Sequence, residues 1–169
     1  MGRHGLPRPS PKREDRAALP ETSAPVSRAS DAAYVLEEQI GHLLRRAHQR
    51  ASAIFAAELG DAYQITPTQY AALVKLHDLG AQSQNRLGRL TAMDPATIQG
   101  VIRRLEERRL IERSGDPGDR RRATLRLTEA GVALVRAMIP HGIEVSEATL
   151  APLDEAERRA FLAHLAKLV

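Results

Sequence analysis

DPATIQGVIRRLEERRLIERSGDPGDRRRATLRLT, Asp94 to Thr128, changes its periodicity halfway along. In the first half Ile98, Val101, Ile102, Leu105 and Leu110 recur at three- and four-residue steps, which predicts a helix with one apolar stripe. Asp94 is a strong cap for it and Pro95 suits its first turn. Thr97, Gln99, Gly100, Arg103 and Arg104 are left on the outer side. In the second half Leu110–Arg113 and Ala123–Leu127 alternate as strands around the turn Asp116-Pro117-Gly118-Asp119. Arg120, Arg121 and Arg122 concentrate fixed positive charge beside that turn.

Upstream, Thr66-Pro67-Thr68-Gln69 opens a helix with a capping box and an early proline. Tyr70, Leu73, Val74 and Leu76 form its apolar side and Gly80 stops it. A short helix follows from about Ser83 to Leu90. Two helices joined by a tight turn, the second with an arginine-bearing outer face, match a helix-turn-helix, and the hairpin after it reads as a wing. The expected fold class is mainly α with a small β-hairpin wing.

Helices flank this unit on both sides. Leu36, Ile40, Leu43, Leu44, Ala47, Ala51, Ile54 and Phe55 predict one long helix from Asp31 to Leu59, roughly 28 residues, ended by Gly60. Thr128 can cap a helix built on Val132, Leu134, Val135, Met138 and Ile139, which Pro140 and Gly142 should kink or interrupt. A last helix opens at the capping box Asp154-Glu155-Ala156-Glu157 and is expected to bury Phe161, Leu162, Leu165 and Leu168. Residues 1–30, with five prolines and few large apolar groups, cannot offset their ordering entropy and read as a disordered basic arm. The remaining span, 31–169, reads as one domain.

Nine of the 25 basic residues but five of the 21 acidic ones lie between Gly100 and Arg126, so their excess equals the net +4 of the chain and the remainder is neutral. Only Lys12, Lys75 and Lys167 are lysines, so the placement of the arginines is more informative than the high isoelectric point. A local excess of this kind suits a polyanion-binding face. The absence of cysteine excludes disulfides, thiol redox sensing and cysteine-ligated metal. No apolar run approaches membrane-spanning length and no signal peptide is visible, so the expected location is cytoplasmic. The chain has no HExxH, phosphate loop or GxSxG, and its six histidines lack metal spacing. Neither an enzyme, a metal site nor a cofactor is expected.

These residues resemble the multiple-antibiotic-resistance regulator (MarR) family of winged helix-turn-helix repressors. The family's wing signature, D-x-R-x(5)-L-T, is matched by Asp119-Arg120-Arg121 through Leu127-Thr128, just after the helix DPATIQGVIRRLEERRLI. The likeness runs from about Val35 to Val169. There are two departures. Arg109 stands where such sequences usually have a glycine past the recognition helix; the left-handed conformation costs about 1 kcal/mol there, which favours a differently built cap. In LEEQIGHLLRR the position of the peroxide sensors' cysteine is Gly41, which leaves ligand binding as the input.

The resemblance implies a two-fold homodimer on a pseudo-palindromic double-stranded DNA operator, with 31–60 and 140–169 as dimerisation helices. The winged region is expected over 61–128, followed by a connecting helix over 128–147. Thr97, Gln99 and Arg103 are candidates for base edges, with Gly100 allowing close approach. Arg86 and Arg104 suit phosphate. Arg121 would enter the minor groove, and Arg120 and Arg122 would face the other side of the strand. Phe161, Leu162 and Leu165 are the candidate dimer contacts, burial within one subunit being the competing reading.

EEQIGHLLRRAHQR and QNRLGRLTAMDPATI also resemble regulators of nicotinate breakdown. That likeness implies a small aromatic carboxylic acid, such as a hydroxylated nicotinate, as effector. Arg45, on the same helix face as Gly41, would match a carboxylate; His42, Arg46, His48 and Gln49 stand beside it. Tyr63 and Tyr70 could supply walls or hydroxyl contacts. The bland alternative makes these residues the wet side of an amphipathic helix. The functional alternative is a winged-helix protein-interaction module with no preference among DNA sequences.

Overall fold

The structure, a computed structural model, describes residues 34–115 and 123–169. The arm expected over 1–30 and the hairpin tip with Arg120, Arg121 and Arg122 lie outside the described residues.

The first apolar run is divided. A turn of 3-10 helix at Leu36–Glu38 is followed by Gln39 in an extended conformation (ψ 129°), and α1 begins only at Ile40 and runs to Phe55. The unbroken helix expected from Asp31 is therefore corrected: the Gln39 side chain donates to the Val35 carbonyl at 2.9 Å and stabilises the break. The expected stop at Gly60 is corrected too. Gly60 is right-handed (φ −59°) at the end of a wide π-turn, Ala56–Gly60, that passes into α2, Asp61–Tyr63. A helical glycine costs only about 1 kcal/mol, and the buried Leu59 and Ile65 on either side hold the segment to the core. The chain turns at Gln64, whose φ of 51° is left-handed.

α3, Pro67–Leu79, starts at the full capping box of Thr66 and Gln69 and ends at Gly80, whose φ of 70° suits glycine. α4, Gln84–Leu90, is capped by Ser83, and α5, Pro95–Glu107, by Asp94. β2, Ile111–Gly115, pairs antiparallel with β3, Ala123–Leu127, with Ile111 opposite Leu127 and Arg113 opposite Leu125. The other edge of β3 carries β1, Gln82–Ser83, which is too short to leave any alternation in the sequence. α6, Glu129–Leu150, runs through Pro140 without ending. A proline removes one helical hydrogen bond, and the burial of Val135 and Met138 on the preceding turns holds the helix to the core as it passes this point. The expected boundary at 140–147 is thus no break, because one helix serves both spans. α7, Glu155–Leu165, begins at the expected capping box of Asp154 and Glu157.

One core joins the end of the first helical segment (Phe55, Leu59) to α3, α4, α5, the sheet and the middle of α6. All five apolar positions expected for the Asp94 helix and its exit, Ile98, Val101, Ile102, Leu105 and Leu110, are buried in it. Close backbone approaches need small residues. A Cβ on Gly131 would overlap the Leu110 carbonyl, and one on Gly88 would lie 3.3 Å from Ile98 Cγ2 and from the Met93 carbonyl. α7 buries nothing, against expectation: Phe161, Leu162 and Leu168 are exposed and Leu165 is half-buried. Among the described residues, α1 and α6 border this stripe without burying it.

Candidate nucleic-acid interface and the grooves behind it

The turn between α4 and α5 is closed by backbone geometry. Met93 N–H reaches the Gly88 carbonyl at 2.9 Å and Ala92, left-handed at φ 51°, donates to Arg89 at 3.4 Å. This pair of bonds is a Schellman exit. Asp94 then satisfies the first amides of α5: Oδ1 accepts from Ala96 and Thr97 N–H at 2.9 Å each, and Oδ2 accepts from Thr97 Oγ1 at 2.6 Å. The Thr97 hydroxyl first, and the backbone amides with it, hold the Asp94 carboxyl below the usual carboxylate range.

The exit of α5 uses the same device. Leu110 N–H donates to Leu105 at 3.0 Å and Arg109 N–H to Glu106 at 2.8 Å, with Arg109 left-handed at φ 56°. The cap is therefore built as glycine would build it, which corrects the expectation of a different one. Burial of Leu105 and Leu110 on the same turn offsets the cost of the side chain at Arg109. Thr128, the last residue of the wing signature, anchors that turn. Its hydroxyl donates to the Arg109 carbonyl at 2.8 Å and accepts from Gly131 N–H at 3.1 Å, joining the recognition helix to the start of α6.

Packing of Ile98, Val101, Ile102 and Leu105 inward turns the rest of α5 outward. Thr97, Gln99, Arg103 and Arg104 are exposed, and among the described residues no atom beyond Gly100's own helix backbone lies within 4 Å of where its Cβ would stand. Gln99, Gly100, Arg103 and Ala96 line a cleft of about 540 Å³ between α5 and the wing, closed on the far side by Glu106 and Arg113. Arg86 is exposed on α4. Two ion pairs brace the wing root: Arg113 with Glu106 at 2.7 Å and Arg126 with Glu112 at 2.8 Å.

The candidate effector residues do not meet in one place. His42, Arg45, Arg46, His48 and Gln49 follow one another along α1, where Arg45 Nη2 lies 3.3 Å from His42 Nδ1. Arg45, Arg46 and Gln49 are exposed. His48 lines an apolar groove of about 430 Å³ among α1, α6 and α7, with Leu44, Ala51, Phe161, Leu162 and Leu165. Tyr70 lines a different cavity, about 600 Å³, with Val74, Asp78, Ile139, Gly142 and Arg158. Its ring meets Phe55 edge-on at 5.6 Å, and burial together with Asp78 raises its phenol above the ordinary value. Tyr63 docks on α6, with its hydroxyl 3.4 Å from the Ala137 carbonyl.

Two arginines outside the candidate site tie these regions together. Arg108, the last residue of the α5 cap, donates to the Gln64 and Tyr63 carbonyls at 2.5 and 3.0 Å and so closes the end of α2. Arg50 donates to the Ala148 and Thr149 carbonyls at 3.0 and 3.2 Å near the end of α6. Both contacts join elements far apart in the chain, and no local pattern announces them.

A capped helix presented outward after a tight turn, followed by a braced hairpin, defines a winged helix-turn-helix protein. The chain belongs to the MarR family, whose model matches residues 65–123. It is 46% identical over 136 residues to the HTH-type transcriptional repressor NicR of Pseudomonas putida, covering 80% of this chain and 85% of that one. Among solved structures it is similar to BpsR of Bordetella bronchiseptica, described in work on regulation of its DNA binding by 6-hydroxynicotinic acid. That likeness has 43% identity and a TM-score of 0.75, over 80% of this chain and 96% of that one. PcaV of Streptomyces coelicolor, in complex with its natural ligand, is 31% identical with a TM-score of 0.74, over 81% and 96% of the two chains. The protein is a DNA-binding transcriptional regulator of this family.

Proposed function

We propose that the protein is a homodimeric repressor in the cytoplasm, sitting on a pseudo-palindromic operator and released from it by a small aromatic carboxylic acid of the hydroxynicotinate type. The observation that carries the DNA reading is Gly100. Glycine inside a helix costs about 1 kcal/mol against alanine. Among the described residues nothing outside the helix's own backbone occupies the space a side chain would need. An approaching duplex supplies the missing reason. Around it Thr97, Gln99 and Arg103 read base edges while Arg86 and Arg104 hold phosphates. Thr97, whose hydroxyl donates to Asp94, offers DNA the hydroxyl oxygen as an acceptor and its methyl group. Arg121 takes the minor groove, flanked by Arg120 and Arg122.

The second copy is supported by the apolar side chains left uncovered: Ile40 is 63% exposed, Leu162 51% and Phe161 40%. Phe161, Leu162 and Leu165 form the centre of that contact. His42, Arg45, Arg46, His48, Gln49, Tyr63 and Tyr70 serve the effector, with the partner closing a site that one chain leaves open. The likeness to NicR and to BpsR supports the class of acid.

The test is fluorescence anisotropy of the purified protein on a duplex from its own upstream region, with and without 6-hydroxynicotinic acid. Tight, salt-sensitive binding that the acid weakens is expected. Binding indifferent to salt and DNA sequence would leave a protein-interaction module instead. Repression that no aromatic acid relieves would remove the effector class.

A further inference from the structure

A recognition helix in the major groove and a wing in the neighbouring minor groove have one sugar–phosphate strand between them, because that strand is what separates the two grooves. The strand must cross the space between α5 and the root of the wing. In this protein that space is the cleft bounded by Gln99, Gly100 and Arg103 on α5 and by Arg113 on β2. Its floor also holds Glu106, which as a bare carboxylate would repel a phosphate.

Arg113 resolves the conflict. Its Nε donates to Glu106 Oε1 at 2.7 Å, which neutralises the acid and fixes the guanidinium at the cleft wall. The two Nη groups carry the remaining donors, in a planar fork that suits phosphate oxygens. The side chain stays about half exposed, so an anion can reach it. Arg126, by contrast, pairs with Glu112, and neither residue lines the cleft. We infer that Arg113 is a phosphate-contacting residue of the DNA interface, oriented by Glu106, and that it grips the strand running between recognition helix and wing. This rests on the DNA-binding reading above.

Two variants test it by salt-titrated anisotropy on the upstream duplex and on an unrelated duplex of equal length, with thermal melting as the check on folding. Arg113→Gln keeps a hydrogen bond for Glu106 but removes the charge. It should weaken binding to both duplexes by similar factors and flatten the slope of log K against log salt by about one. Arg113→Lys should keep the wild-type slope. A Gln variant that melts like wild type and has an unchanged slope overturns the inference. So does a Lys variant as flat as the Gln one, since a retained charge that restores none of the slope is not meeting phosphate. Wild-type protein that binds neither duplex at low salt defeats the DNA-binding reading itself, which is a separate outcome.

Discussion

The winged region and the terminal helices use the same apolar vocabulary with opposite results. In the winged region Ile98, Val101, Ile102 and Leu105 on α5 are all at most 3% exposed. In the terminal helices Leu43, Leu44, Phe161 and Leu162, at equally regular helical spacing, stay at least 39% exposed. The first region completes its core within one chain, whereas the second carries a face that the other described residues leave exposed. A hydrophobic stripe thus specifies that something will be buried against it, and leaves open whether that something belongs to the same chain.

The largest effect should come from the completed core. Leu105→Ala is expected to lower stability by about 2–5 kcal/mol in chemical denaturation, independently of protein concentration. A loss well under 1 kcal/mol would mean that α5 is not held as described. On the open face, Phe161→Ala with Leu162→Ala should leave the winged fold intact by circular dichroism yet weaken self-association about tenfold or more in sedimentation. Unchanged association would place the second copy elsewhere.

Gly100→Ala sharpens the contrast at the surface. It should raise the unfolding free energy by about 1 kcal/mol while weakening operator binding, since among the described residues the added methyl meets nothing beyond its own helix backbone. Gain in both properties would remove the case for close approach there.

The smallest effect concerns pH. Asp94 has its carboxyl held below the ordinary value, so the stabilisation it gives the α5 N-terminus is present above that ordinary value and is lost as pH falls through the lowered one. Hydrogen exchange of the Ala96 and Thr97 amides should therefore gain a local opening on acidification that Asp94→Asn lacks.

Much of the winged region was legible in advance because its signals are local. Thr66, Asp94, Thr128 and Asp154 all cap the helices they were expected to cap. Capping depends on bonds two or three residues away, which a sequence displays directly. Gly60 does not stop the helical run and Pro140 does not interrupt α6, for the complementary reason: tertiary burial around them outweighs a penalty of one residue. Arg109 shows the same override, since it adopts the conformation glycine prefers. Of the candidate site, the outward position of Gln99, Gly100 and Arg103 follows from the periodicity of α5. The roles of Arg108 and Arg113 do not, because their partners lie in other elements.

Sequence alone determined the helix-turn-helix, its wing and the outward polar face, since periodicities of 3.6 and 2 and end-caps act over a few residues. Only the tertiary structure decided which apolar stripes close on their own chain, which arginines are spent on carbonyls or carboxylates, and where a cleft opens beside α5. Those outcomes depend on the meeting of segments tens of residues apart, and that meeting is fixed by packing.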